Sequence, residues 1–113
     1  MHNFKELKIW QKAVDLAADI YALISNSPEG EKFNLVSQMR RAAISISSNI
    51  AEGAGRGTNK YFARFLSIAY GSLYELESQL FVSKRLNFTK ENKLYTNIDE
   101  LQKMIYDFKK TLK

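Results

Sequence analysis

The chain has 113 residues, 45% of them apolar and 26% charged, with no cysteine and 17 basic against 12 acidic side chains for a net charge of +5. That length supports one domain with one core, and the lack of cysteine excludes disulfide stapling and thiol chemistry, leaving carboxylates and the lone His2 as the only candidate metal ligands. A sequence pI near 9.5 suits an anionic partner, and it suits lysine-based solubility equally well.

Near the N-terminus, His2 is expected to be a disordered bystander. Lys5, Lys8, Lys12 and Asp15 interrupt the first apolar run before a signal-peptide core forms. No stretch approaches the roughly 20 apolar residues of a membrane span, so no membrane partner is expected and the expected compartment is the cytoplasm. From Leu7 to about Ser25, Trp10, Ala13, Ala17, Ile20 and Ile24 recur at helical steps, with Lys12, Asp15 and Asp19 off the stripe. This predicts a first helix with Trp10 in its apolar face. Ser25 to Gly30 then reads as a turn, because it holds a proline and a glycine.

A second helix is expected from Glu31 or Lys32 to Gly53. Leu35, Met39, Ala42, Ile46, Asn49 and Gly53 keep heptad spacing, and Val36, Ala43 and Ile50 form a neighbouring stripe. Ala, Ser and Gly along it invite close approach by another helix, and its β-branched isoleucines leave its stability to tertiary packing. Asn49 and Glu52 lie one turn apart near its end as structural polar residues that need partners wherever packing buries them.

The glycine-rich run Gly53 to Thr58 does not match a nucleotide loop. No lysine and hydroxyl follow its last glycine, Thr58 stands where a Gly-x-Gly-x-x-Gly match needs glycine, and a helix rather than a strand precedes it. It reads as a helix stop made by alternating glycines, with Thr58 as the N-cap of the next helix. Between Arg40 and Arg64 the cations Arg40, Arg41, Arg56, Lys60 and Arg64 face Glu52 alone, which concentrates four of the five net positive charges there.

The third helix is expected from Asn59 to about Leu86, roughly 40 Å long. Phe62, Leu66, Ala69, Leu73, Leu76 and Leu80 keep heptad spacing. Phe65, Ile68, Tyr70, Tyr74, Phe81 and Val82 fall on other faces, more apolar surface than a two-layer monomer needs, so part of it is expected to meet another subunit. Tyr70 and Tyr74 are read as packing residues, with base stacking as the other use of such rings. Leu86 to Thr89 is a turn, with Thr89 placed to cap a last helix. That helix carries Leu94, Ile98, Leu101, Ile105, Phe108 and Leu112 at heptad steps, and Lys109, Lys110 and Lys113 at its end complement the dipole.

Four amphipathic helices joined by short turns predict an all-α, antiparallel up-down-up-down four-helix bundle over residues 1–113. No catalytic constellation is visible. There is no Ser-His pair that the sequence places together and no Glu-x-x-His, Glu75 and Glu77 point to different sides of one helix, and Glu52 reads as a countercharge for nearby arginines. The expectation is a non-enzyme without cofactor or metal.

Gln38, Arg40-Arg41-Ala42-Ala43, Ser45-Ile46, Ser48-Asn49-Ile50-Ala51-Glu52-Gly53, Gly55-Arg56, Phe65-Leu66, Ile68-Ala69, Gly71-Ser72-Leu73 and Glu75-Leu76-Glu77, with weaker matches at Leu7, Trp10, Lys12, Ala13, Pro28 and Glu31, form one long pattern. It resembles a bacterial four-helix-bundle family whose first-described members are encoded in intervening sequences of 23S ribosomal RNA genes. Asn87 departs from that pattern, standing where such proteins often carry glycine, and asparagine tolerates the same left-handed backbone. The resemblance implies a ring-shaped homopentamer and, by likeness to accessory proteins of diversity-generating retroelements, binding to structured RNA. Arg56, Lys60 and Arg64 are the expected contacts at one rim of the bundle, and Arg40 and Arg41, about three turns away from Gly53, are expected to form a separate patch or to lie at an interface where arginine pairs with Glu52 or a neighbouring subunit. The competing expectation is an adaptor that recognises an acidic protein.

Overall fold

The computed structural model describes residues 2–25, 30–90 and 93–112. Four helices follow one another: α1 (Lys8–Leu23), α2 (Gly30–Ala54), α3 (Asn59–Arg85) and α4 (Leu94–Lys110), with a short 3-10 turn at Phe4–Glu6 before them. There is no strand among the described residues. Most of the turn expected between Ser25 and Gly30 lies outside the described residues, and Gly30 itself is already helical.

Each helix touches two others, α1 against α2 and α4, and α3 against α2 and α4, so the four close a ring around one core. The contacts that join neighbours fix their directions. Ser45 meets Ser72 while Gly53 meets Phe62 and Phe65. Leu80 meets Tyr95, Glu77 meets Gln102 and Ser67 meets Lys109. Arg40 reaches Ile24, and His2 reaches Ala54. In every pair one number rises as the other falls, which is the order that antiparallel helices give.

The stripes read from spacing form the core. Phe62, Leu66, Ala69, Leu73, Leu76 and Leu80 of α3 are all buried, as are Leu94, Ile98, Leu101 and Ile105 of α4. Phe108 and Leu112 pack against the core half-buried. In α2 both stripes are used, through Met39, Ala42 and Ile46 on one side and Val36, Ala43 and Ile50 on the other, because this helix meets both α1 and α3. The apolar face of α1 is wider than its stripe: Ile9 and Leu16 are buried along with Ala13, Ala17, Ile20 and Ile24. Trp10 lies at the flank, half-buried and edge-on to Phe4 at 4.9 Å.

The ends of α3 follow from local chemistry. Thr58 is extended and its side chain accepts from the Tyr61 N–H at 3.2 Å, satisfying one of the first unpaired donors. At the other end Asn87 takes φ 64, its N–H donates to the Lys84 carbonyl and the Phe88 N–H donates to the Ser83 carbonyl. These are the paired bonds of a Schellman stop, with asparagine doing what glycine usually does.

Two expectations are corrected here. Thr89 does not cap α4, whose N-cap position is Lys93 without a side-chain cap bond. Its hydroxyl instead hydrogen-bonds Ser83 and seals the end of α3. His2 is not a bystander: its N–H donates to the Ala54 carbonyl at 3.1 Å, and its ring lies 5.0 Å from Phe62 and 6.2 Å from Phe108. The N-terminal segment thereby straps the end of the bundle where α2 stops and α3 starts.

Candidate nucleic-acid interface

The cationic rim is built by a tight α2–α3 junction. Gly53 lies inside α2 and is buried; a Cβ there would stand 2.7 Å from Phe65 Cβ and 2.9 Å from Phe62 Cδ1. Its role is therefore to let the two helices touch rather than to stop one of them. The helix runs on to Ala54, and none of the loop glycines adopts the left-handed backbone of a glycine stop. The N–H of Gly55 bonds the Ala51 and Glu52 carbonyls and the N–H of Arg56 bonds the Gly53 carbonyl, so a last tightened turn hands the chain to Thr58.

This junction holds Arg56 in place. Its Nη2 donates to Glu52 Oε2 at 2.9 Å, and its guanidinium lies 5.0 Å from the centre of the Phe65 ring. Glu52 sits in the last turn of α2, where a negative charge opposes the helix dipole, and Arg56 offsets that. The pair is about half exposed on each side, so it is worth at most about 1 kcal/mol. Glu52 is thus the ion-pair partner of Arg56. Lys60 and Arg64, one turn apart on the first turns of α3, are exposed and have no ion pair among the described residues.

Arg40 and Arg41 belong elsewhere. They lie on α2 about 18 Å from Gly53 along the axis and line an open groove of about 850 Å³ together with Tyr21, Ser45, Ser72 and Glu75. Arg40 is half-buried, with its Nη2 3.4 Å from the Ile24 carbonyl and its guanidinium 5.5 Å from the Tyr21 ring. Neither arginine pairs with Glu52. The cations that are close in sequence therefore form a rim group and a lateral pair. Asn49, half-buried, donates through Nδ2 to the Ser45 carbonyl at 2.8 Å and to Ser45 Oγ at 3.0 Å, and Ser45 shares a hydrogen bond with Ser72 at 2.9 Å. The Asn49 amide is satisfied on its own helix, and Ser45 carries the link to α3.

A second polar surface was only half visible in the sequence, which offered Tyr70 and Tyr74 but not Tyr106. Tyr70 and Tyr74 of α3 lie edge-to-face at 5.1 Å with their hydroxyls 3.3 Å apart, and Tyr106 of α4 lies 6.3 Å from Tyr70. The hydrogen bond with Tyr74, which holds the Tyr70 proton, followed by burial and the Tyr74 charge, raises the Tyr70 hydroxyl above the ordinary tyrosine pKa of 10.0. Lys110 Nζ stands 4.6 Å from the Tyr106 ring centre, and Lys109 Nζ donates to Ser67 Oγ. Tyr70 is half-buried as a packing residue should be, whereas Tyr74 remains 48% exposed and Tyr106 53%. The four-residue step from Tyr70 to Tyr74 was visible in the chain; their meeting with Tyr106 depends on α4 packing beside α3.

Elsewhere, Glu77 accepts from Gln102 of α4 at 3.2 Å while Glu75 faces the groove beside α2, so the two carboxylates do not converge. Among the described residues no three His, Cys, Asp or Glu side chains group as metal ligands, and no helix is long and apolar enough to cross a membrane.

Helix order, core and junction thus define an all-α four-helix bundle with a basic rim. The family model described as 23S rRNA-intervening sequence protein matches residues 5–107, and the chain belongs to that family. Comparison with curated proteins finds no match.

Proposed function

We propose that the protein is a non-enzymatic, cytoplasmic scaffold that assembles with copies of itself and holds structured RNA on its basic rim. The observation that carries this reading is the placement of Lys60 and Arg64, exposed and without ion pairs among the described residues, beside the Arg56 that Phe65 and Glu52 hold at the same end of the bundle. Family membership supports an RNA-related role. Self-association is supported by apolar side chains that the bundle leaves outside, among them Ile44, Ile68, Phe81 and Val82. The pentamer implied by the resemblance would repeat the rim group around a ring, so that many weak phosphate contacts act together. Arg40 and Arg41 would add contacts along the side.

The test is RNA retention by the native oligomer over a range of salt. Wild-type protein should retain structured RNA at low salt and lose it steeply as salt rises. Substituting Arg56, Lys60 and Arg64 together by Ala should lower the affinity and flatten the salt dependence while helicity and native mass stay unchanged. Lys60→Ala and Arg64→Ala should account for most of this, since Arg56 is already shared with Glu52. If the wild-type oligomer retains neither RNA nor DNA at low salt, the rim has another partner, and a search for an acidic protein takes its place.

A further inference from the structure

The cationic rim does not end at the α2–α3 junction. Lys60, Ala63, Ser67, Tyr70 and Tyr74 follow one another on α3 at steps of three and four, which places them on one stripe about 21 Å long. Where that stripe meets α4, Ser67 accepts from Lys109, Lys110 lies against Tyr106, and Tyr106 closes on Tyr70. A slot of about 350 Å³ opens between Tyr70, Ile105 and Tyr106, with Lys109 and Lys110 also lining it. Beyond it Lys103 and Asp99 line the next hollow, with Tyr74 and Gln102. One step past Tyr74 on the same stripe comes Glu77, which Gln102 holds. Lys60 thus begins the stripe, tyrosines flanked by Lys109 and Lys110 continue it, and Glu77 ends it beside Asp99 and Lys103.

From this juxtaposition we infer that Tyr70, Tyr74 and Tyr106 with Lys109 and Lys110 form a stacking site for an unpaired RNA segment that leads off the basic rim. A flat apolar wall beside a pair of cations matches a ligand unit that carries a planar ring and an anion together, and a nucleotide is such a unit. Rings as exposed as Tyr74 and Tyr106 can take a base on their faces. A duplex hides its base faces in its own stack and offers only backbone and groove, so the tyrosines select single-stranded segments. The inference rests on the RNA reading of the rim and adds to it the kind of RNA and the direction in which the strand runs.

The test compares a fluorescently labelled oligo-adenylate single strand with a duplex RNA of equal length, using the native oligomer. Substituting Tyr74 and Tyr106 together by Ala should weaken binding of the single strand about tenfold, leave the duplex unaffected, and leave the salt slope unchanged because no phosphate contact is lost. The matching pair of Phe substitutions should restore single-strand affinity, since the ring face is kept. The Lys60→Ala, Arg64→Ala variant should weaken both ligands and flatten the salt slope. If that variant behaves as expected while the tyrosine pair leaves single-strand binding unchanged, the stacking site is wrong and the rim stands. If the wild type binds neither RNA, both are wrong. If the Ala pair lowers the native mass of the oligomer, a second copy of the chain covers this face and the inference is overturned.

Discussion

Gly53 and Gly71 both sit within helices of the tightest pair in the bundle, yet they face different surroundings. At Gly53 a single added carbon would lie 2.7 Å from the Cβ of Phe65, an atom fixed to its own backbone, whereas at Gly71 no atom comes within 4 Å. The first glycine is explained entirely by this chain, because α2 and α3 cannot approach with anything larger between them. The second has no such reason and leaves an open patch on the outer side of α3, next to Ser72 and one turn from Ile68. A glycine in a helix normally costs about 1 kcal/mol relative to alanine. Inside the seam, packing offsets that cost; on the open face nothing in the protomer does.

Adding a methyl group should therefore act with opposite sign at the two positions. Gly53→Ala is expected to destabilise the fold by roughly 1–3 kcal/mol, because overpacking at a fixed contact exceeds the gain in helix propensity. Chemical denaturation gives the difference directly, and an unchanged midpoint would mean that α2 and α3 can separate without loss. Gly71→Ala should raise the stability of the protomer by up to about 1 kcal/mol. Native mass spectrometry of the same variant sharpens the comparison: a stabler protomer in a weaker oligomer would show that another copy approaches α3 as closely there as α2 does at Gly53.

The smallest effect is expected at the polar edge of the seam. Asn49→Leu removes hydrogen bonds made within α2, and Ser45 keeps its partner Ser72. No buried group is orphaned, so the cost should stay below about 1 kcal/mol, less than the 1–3 kcal/mol of an amide whose loss strands a partner. Thermal melting of the variant beside Ser45→Ala checks this. A larger loss for Asn49→Leu than for Ser45→Ala would move the cross-helix link from serine to asparagine.

The same contrast explains what could be read in the chain. The core of α3 and α4 was legible from Phe62 to Leu80 and from Leu94 to Ile105, since heptad spacing is a covalent, local record of which side is buried. Thr58 and Asn87 were legible for the same reason, each acting within a few residues of itself. Gly53 was read both as a seam residue that invites close approach and as part of a helix stop, and only the first holds, because the loop conformation that would make it a stop is not written in the spacing. His2 was set aside because its partners, Ala54, Phe62 and Phe108, belong to three other parts of the chain. Thr89 looked like a cap in position, but its hydroxyl turned back to Ser83. In the candidate site, spacing along α2 already set Arg40 and Arg41 three turns away from the rim group of Arg56, Lys60 and Arg64. It could not bring Tyr106 to Tyr70, because that depends on how neighbouring helices are rotated.

The strap made by His2 has a practical side. With His2 bonded to Ala54 and its ring beside Phe108 of the last helix, the first and last described segments lie together, next to Arg56 and the start of α3. A tag or reporter attached to either segment would crowd the basic end and, if acidic, would compete there with any ligand. The α3–α4 turn at Asn87 lies at the opposite end of a molecule 44 Å long, so a dye, surface anchor or crosslinker attached there would report on the rim without touching it.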